Sequence, residues 1–266
     1  MGASLTHFCC FIQAVEASNN RKKSMRNAIK QAFACIVAFM LFPGASALAA
    51  SPSQRELKDV LQQLDTASAN FHSASADFIF VTVQTDPIPD KLSQKGVIDY
   101  KRNGKKFQMA AHIRFEAEGE GKDKPVPKDL IYTDGKVTLY EKLTNQAHVK
   151  DASKFEGYLL LGFGASGKEL ADKWDITYLG AENLNDGKTT VATDKLELVA
   201  KDPDFKKMFP KVTIWIDPAR GVSLKQIFDE GQGQSRTCFY FNIKLNSNLP
   251  DSDFTIKTDS QTQIIR

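Results

Sequence analysis

Short runs of branched and aromatic residues, broken at close intervals by dipeptides that reverse the chain, constrain this sequence more than any other feature. Gly96-Val97-Ile98-Asp99-Tyr100 and Lys106-Phe107-Gln108-Met109 flank Asn103-Gly104, and Leu130–Thr133 and Val137–Lys142 flank Asp134-Gly135. Asn-Gly and Asp-Gly tolerate the positive φ angles of tight hairpins, so each pair reads as two antiparallel strands. Asn185-Asp186-Gly187 separates Ile176–Leu179 from a run ending Leu196–Val199, and Pro218–Gly221 separates Lys211–Asp217 from Val222–Phe228. With Ala76–Thr85, Ser235–Leu245 and Phe254–Lys257, about ten or eleven strands are predicted, joined in one long antiparallel meander. A sheet that long curls, and its concave face must be filled.

Two segments can fill it. Leu57, Val60, Leu61, Leu64 and Phe71 recur with helical spacing, which predicts one helix with one apolar stripe. Ser51 with Pro52, and Ser53 with Glu56, read as its caps. The second cover is Ser153–Trp174, with a short helix over Lys168–Trp174. Glu116–Lys128, rich in charge and holding two prolines, reads as an exposed loop.

The N-terminus reads as an address rather than a fold. Arg21, Lys22, Lys23, Arg26 and Lys30 precede the apolar run Ala32–Phe42, which Pro43 and Gly44 end. Ala47-Leu48-Ala49 supplies a small-x-small cleavage site. The apolar run is about half of the ~20 residues that span a bilayer, so Met25–Ala49 is predicted to be a cleavable secretory signal. Residues 1–24 form an upstream extension, with Met25 an alternative start. No cysteine follows the apolar run as a lipid-anchored mature terminus would require. The expected product is residues 50–266, exported and soluble, and long enough for one domain with a large core or two small ones.

Cleavage near Ala49 changes the charge. Removing five Lys/Arg and one acid (Glu16) from totals of 35 and 32 leaves 30 basic and 31 acidic side chains, a formal −1 in place of +3. With no basic excess, nucleic acid is not an expected partner. Of four cysteines only Cys238 remains, so no internal disulfide can form and a packed core must supply stability.

Sites of covalent chemistry are not evident. Gly162-Phe163-Gly164-Ala165-Ser166-Gly167-Lys168-Glu169 fits a glycine-rich dinucleotide fingerprint and nearly fits a phosphate-binding loop. Glu169 stands where the latter needs a hydroxyl, and the former belongs to a parallel βαβ unit, so the segment reads as a flexible glycine hinge and no nucleotide is expected. His72, His112 and His148 lack ligand-spaced partners, so no metal is expected. Ser166 is followed by Lys168 where a nucleophile elbow has glycine. Cys238 reads as a core thiol, and Glu116, Glu118 and Glu120 as solvated acids. Leu159, Leu160, Leu161 and Phe163, ending in glycines, read equally as core or as a movable lid over an apolar pocket.

The order of these pieces resembles the periplasmic outer-membrane lipoprotein carriers and sorting proteins, the LolA-like family. The resemblance spans about Leu57 to Ile265. It runs from the helix Leu57–Leu64 through Gly96–Arg102, Phe107-Gln108-Met109 and Leu130–Lys136 with its Asp-Gly-Lys turn, then Val212–Asp217, Phe241–Asn246 and Phe254–Lys257. It implies a mainly β fold with a few helices, in which residues 50–266 form a single, monomeric periplasmic domain: an unclosed antiparallel β-barrel whose helices cover an apolar cavity. It also implies a carrier without enzymatic activity or cofactor, taking the acyl chains of lipoproteins or other acylated molecules from an inner-membrane lipoprotein-releasing transporter to an outer-membrane acceptor. Arg102 matches the arginine that ties strand to lid when the family's cavity is empty, and Leu64 the lid contact from the first helix. The ligand and lid candidates are Arg102, Leu64, Leu57, Leu61, Phe71, Leu159, Leu160 and Phe163. Arg102-Asn103 stands where the family has a basic residue before Pro, and Thr258–Gln261 departs from its usual ending. A sensor of stray lipoproteins on the same fold and a secreted enzyme using the cavity are the alternative readings.

Overall fold

Among the described residues, twelve strands hydrogen-bond into one sheet. In the first half of the chain these are β1 (Ser73–Gln84), β2 (Asp90–Asn103), β3 (Lys106–Glu118), β4 (Lys124–Thr133), β5 (Lys136–Glu141) and β6 (Gln146–Asp151). In the second half they are β7 (Trp174–Asn185), β8 (Thr190–Ala200), β9 (Lys211–Asp217), β10 (Val222–Gly231), β11 (Gln234–Leu245) and β12 (Gln263–Ile265). The computed structural model describes residues 56–86, 88–104 and 106–266. The signal reading of Met25–Ala49 and the caps placed on Ser51, Pro52 and Ser53 lie outside those residues. The first helix, α1 (Leu57–Ala69), has Glu56 as its N-cap in extended backbone, so Glu56 is not the third helical residue of a capping box.

The strand order is β12-β6-β5-β4-β3-β2-β1-β11-β10-β9-β8-β7, with β12 and β7 as free edges. The unclosed antiparallel β-sheet expected from the sequence is therefore what the chain forms. It is not one continuous meander. β1–β6 and β7–β11 are two meanders sewn together where β1 pairs with β11, Phe78 opposite Tyr240 and Phe80 opposite Cys238. The last strand, β12, pairs in parallel with β6.

Two other expectations are corrected. Glu116–Lys128 is not an exposed loop: β3 runs to Glu118 and β4 starts at Lys124, with Glu116 opposite Lys124 across the ladder. Register puts Lys128 on the inner face beside Ile113, where it is buried, so its charge signals an internal ion pair rather than solvent. Phe254–Lys257 is not a strand, because Asp251–Phe254 is a 3-10 turn. Phe254 is buried with Ala110 and Ile131 on the outer side of the sheet. The short strands β6 and β12 were not predicted: β6 alternates only Ala147 and Val149 with polar residues, and β12 is the three-residue Gln263–Ile265. The Asp134-Gly135 turn does have φ of 49° and 76°, as a two-residue hairpin needs.

Because β6 and β7 lie at distant places in the sheet, the chain between them must cross its concave face. That crossing is the 3-10 turn Ser153–Phe155, α2 (Glu156–Leu159), the glycine segment and α3 (Gly167–Lys173). α3 is fixed by a capping box in which Ser166 Oγ accepts from Glu169 N and the Glu169 carboxylate accepts from Ser166 N at 2.8 Å. Glu169, the residue that spoils a phosphate loop, is thus a helix cap. α1 lies beside α3, where Asp65 accepts from Lys168 N at 3.0 Å. Val60, Leu64 and Ser68 form the buried face of α1. Burying the Val60 and Leu64 side chains contributes about 1.5–3 kcal/mol each.

On the outer face of the sheet, His112 Nδ1 lies 2.9 Å from Asp129 Oδ1, and Lys142 Nζ is 2.8 Å from the other Asp129 oxygen. The hydrogen bond to Asp129 raises the His112 pKa against the opposing effect of burial. Burial works against the Asp129 charge, yet His112 and Lys142 together hold its pKa below the usual carboxylate value.

Candidate ligand cavity and its lid

The concave face is apolar because successive inward positions on neighbouring strands carry apolar residues. Register aligns Tyr100, Met109, Tyr132 and Val137 in one row and Ile98, Ala111, Leu130 and Leu139 in the next. Two buried clusters result, one on β1–β5 with β11 and one on β8, β9, α1 and α3. Between them and the crossing segment lies a cavity of ≈ 150 Å³. Its wall includes Phe78, Phe80, Leu130, Leu159, Leu161, Phe228 and Cys238, with Phe205 and Phe209 from α4 (Pro203–Met208) and its C-cap.

Few polar groups reach this space, and those that do are engaged. Gln226, 3 % exposed, donates to Leu161 O at 2.7 Å. Burial pushes the Tyr100 and Tyr240 phenols well above their ordinary range, so both are neutral.

The crossing segment is held at its backbone. Ser223 N donates to Gly162 O at 2.7 Å, Gly164 N to Gly221 O at 3.2 Å, and Gln226 to Leu161 O. Gly164 O accepts from Arg102 Nη2 at 2.8 Å and from Ser68 Oγ at 2.7 Å. Arg102 is the one charged donor among these five bonds. Its guanidinium also sits 5.7 Å from the centre of the Phe71 ring. Gly164 has φ +73°, and a Cβ there would run into the Phe71 ring. Glycine is therefore required for close approach, and this part of the predicted hinge is a docked contact.

Of the residues singled out in the sequence, Arg102, Phe71, Phe163 and the Gly164 backbone meet at one place. Phe163 is fully buried, stacked on Tyr100 at 4.3 Å and edge-on to Tyr240 at 4.8 Å. Leu64 is fully buried in the second cluster with Leu161, Ala165 and Leu170, while Leu57 and Leu61 pack partly buried against it. Leu160 packs against both clusters, and only Leu159 of the predicted set lines the cavity itself. The strand walls and α4 were missed. Alternation of Phe78 and Phe80 was visible, but which face they occupied depended on register.

No family model matches the sequence, and no curated protein matches it. Solved structures do match. An uncharacterized conserved protein from Thermus thermophilus is 14% identical, with 79% of this chain and 98% of that chain covered and a TM-score of 0.47. LprF from Mycobacterium bovis is 14% identical over 73% of this chain and 94% of its own, with a TM-score of 0.40. A LolA superfamily protein from Nitrosomonas europaea is 14% identical over 75% of this chain and 97% of its own, with a TM-score of 0.36. The family that the sequence resembles is represented among the matched structures. No helix among the described residues is long and apolar enough to cross a membrane.

Proposed function

We propose that the protein is a periplasmic carrier that holds the acyl chains of lipoproteins, or of other lipidated molecules, in the lidded cavity and moves them towards the outer membrane. The observation that supports this reading is an apolar space closed by a cover whose attachment is a handful of hydrogen bonds. At ≈ 150 Å³ the closed cavity is smaller than the roughly 300–1,000 Å³ of ordinary ligand pockets. A long acyl chain needs the lid to move, and opening breaks the Arg102–Gly164 contact.

Loading and release then require no covalent step. A ligand that binds the open state more tightly shifts the population towards it, and handover follows from a difference in affinity between donor, carrier and acceptor. The donor and acceptor in this reading are an inner-membrane lipoprotein-releasing transporter and an outer-membrane receptor. The test is to extract lipid from the purified protein and to titrate it with a fluorescent fatty-acid probe or an acylated lipoprotein. Saturable uptake, with the probe shielded from water, is expected. No binding at micromolar protein would refute the carrier reading.

A further inference from the structure

The apolar cavity ends at a tier of buried polar side chains one step further along the same inner faces. Phe80 and Leu130 line the cavity. Gln94 lies directly opposite Phe80 across the β1–β2 ladder, and Thr82 and Lys128 are each two residues further along their strands on the same side. Two residues along a strand is about 7 Å. Arg236 takes the same place on β11, opposite Thr82.

The tier has a particular chemistry. Lys128 Nζ contacts Glu116 at 2.9 Å and Glu141 at 3.5 Å, and Arg236 is paired with Glu230. Two cations against three carboxylates give a formal charge of −1, with both cations already engaged. Gln94 is 1 % exposed, and its Nε2 donates to the Glu116 carboxylate. That bond fixes the amide, since the reverse orientation would set its oxygen against an anion. Its Oε1 then has no partner, and neither has the buried Thr82 hydroxyl. A buried acceptor without a donor is costly, and such groups call for an explanation.

We propose that this tier is a headgroup subsite selecting amphiphiles whose polar end is a hydrogen-bond donor, an ammonium or a hydroxyl, over those ending in a carboxylate. The tail occupies the apolar cavity and the donor satisfies Gln94 Oε1 and Thr82. The tier's negative balance favours a cation and repels an anion. This inference rests on the carrier reading for the tail and adds the class of head.

The experiment uses purified protein and ligands of one chain length: dodecylamine, dodecanol and dodecanoate, each displacing diphenylhexatriene, an apolar probe with no headgroup. Dodecylamine and dodecanol are expected to bind roughly tenfold tighter than dodecanoate, the gain from one hydrogen bond to an otherwise unsatisfied buried acceptor. Gln94→Leu should reduce that ratio to about threefold or less while leaving diphenylhexatriene affinity unchanged, and Thr82→Val should reduce it in part. If Gln94→Leu fails to bind the headless probe, it has not folded and Thr82→Val alone decides. Dodecanoate binding as tightly as dodecylamine, or a preference that survives both variants, overturns the subsite and leaves the carrier reading standing. Failure of the headless probe and of every dodecyl ligand removes the carrier reading itself.

Discussion

Replacing Arg102 by Met keeps an unbranched stem but removes the donor that reaches Gly164 O at 2.8 Å and Ser68 Oγ at 3.3 Å. A hydrogen bond from a charged donor contributes about 1.5–3 kcal/mol. The low end applies here, because Arg102 is only partly buried and Gly164 O keeps the Ser68 hydroxyl as a donor. Losing the guanidinium over Phe71 adds about 0.5–1 kcal/mol. Closed-lid stability should therefore fall by about 2 kcal/mol, a roughly thirtyfold rise in the open population. Amide hydrogen exchange reads this directly. Gly164 N and Ser223 N, bonded to Gly221 O and Gly162 O, should exchange faster by that order, while amides of the β8–β9 ladder stay unchanged. Affinity for an acyl probe should rise by a similar factor, because less of the binding energy goes into opening. The variant would then load well and hand over poorly. Equal exchange in both proteins, or an increase shared by β8–β9, would show that Arg102 does not latch the lid.

Phe163→Ala should cost about 3–5 kcal/mol, since a fully buried ring stacked on Tyr100 leaves a cavity behind. At about 2–4 °C per kcal/mol for a chain of this size, the melting midpoint falls by at least about 6 °C; an unchanged midpoint would mean that the lid is undocked in solution. His112 supplies a pH test with a definite sign. Its pKa is raised in the folded state, so the contribution is fully present below the unfolded value near 6.5 and is lost as pH rises through the folded one. Urea midpoints should therefore decline as pH rises above about 6.5, and His112→Gln should flatten the decline.

The parts of this fold that are local were readable from the chain. A Gly at positive φ, an Asp-Gly hairpin and the spacing of Val60, Leu61 and Leu64 are set by neighbours a few residues away, so most strands and both principal cover segments were placed. Glu169 shows the boundary. In the sequence it read only as the residue that spoils a phosphate-binding loop, and its role as a helix cap emerges only from the backbone of Ser166 beside its carboxylate.

Pairing across the chain was not readable. The β1–β11 seam joins residues 150 or more positions apart, such as Phe78 and Tyr240, and nothing within either strand specifies the other. That seam turns the expected single meander into two and carries the crossing segment Ser153–Lys173 over the concave face. The face assignment is likewise global, because a shift of one residue would exchange every inward side chain for an outward one. Lys128 and Glu116 looked like solvated charge by composition, yet register turns them inward beside Gln94. The sequence by itself determined a long, mainly antiparallel β-sheet with two segments able to cover an apolar face. Only the tertiary pairing decided that this interior ends in buried polar groups, because their meaning lies in which strands bring them together.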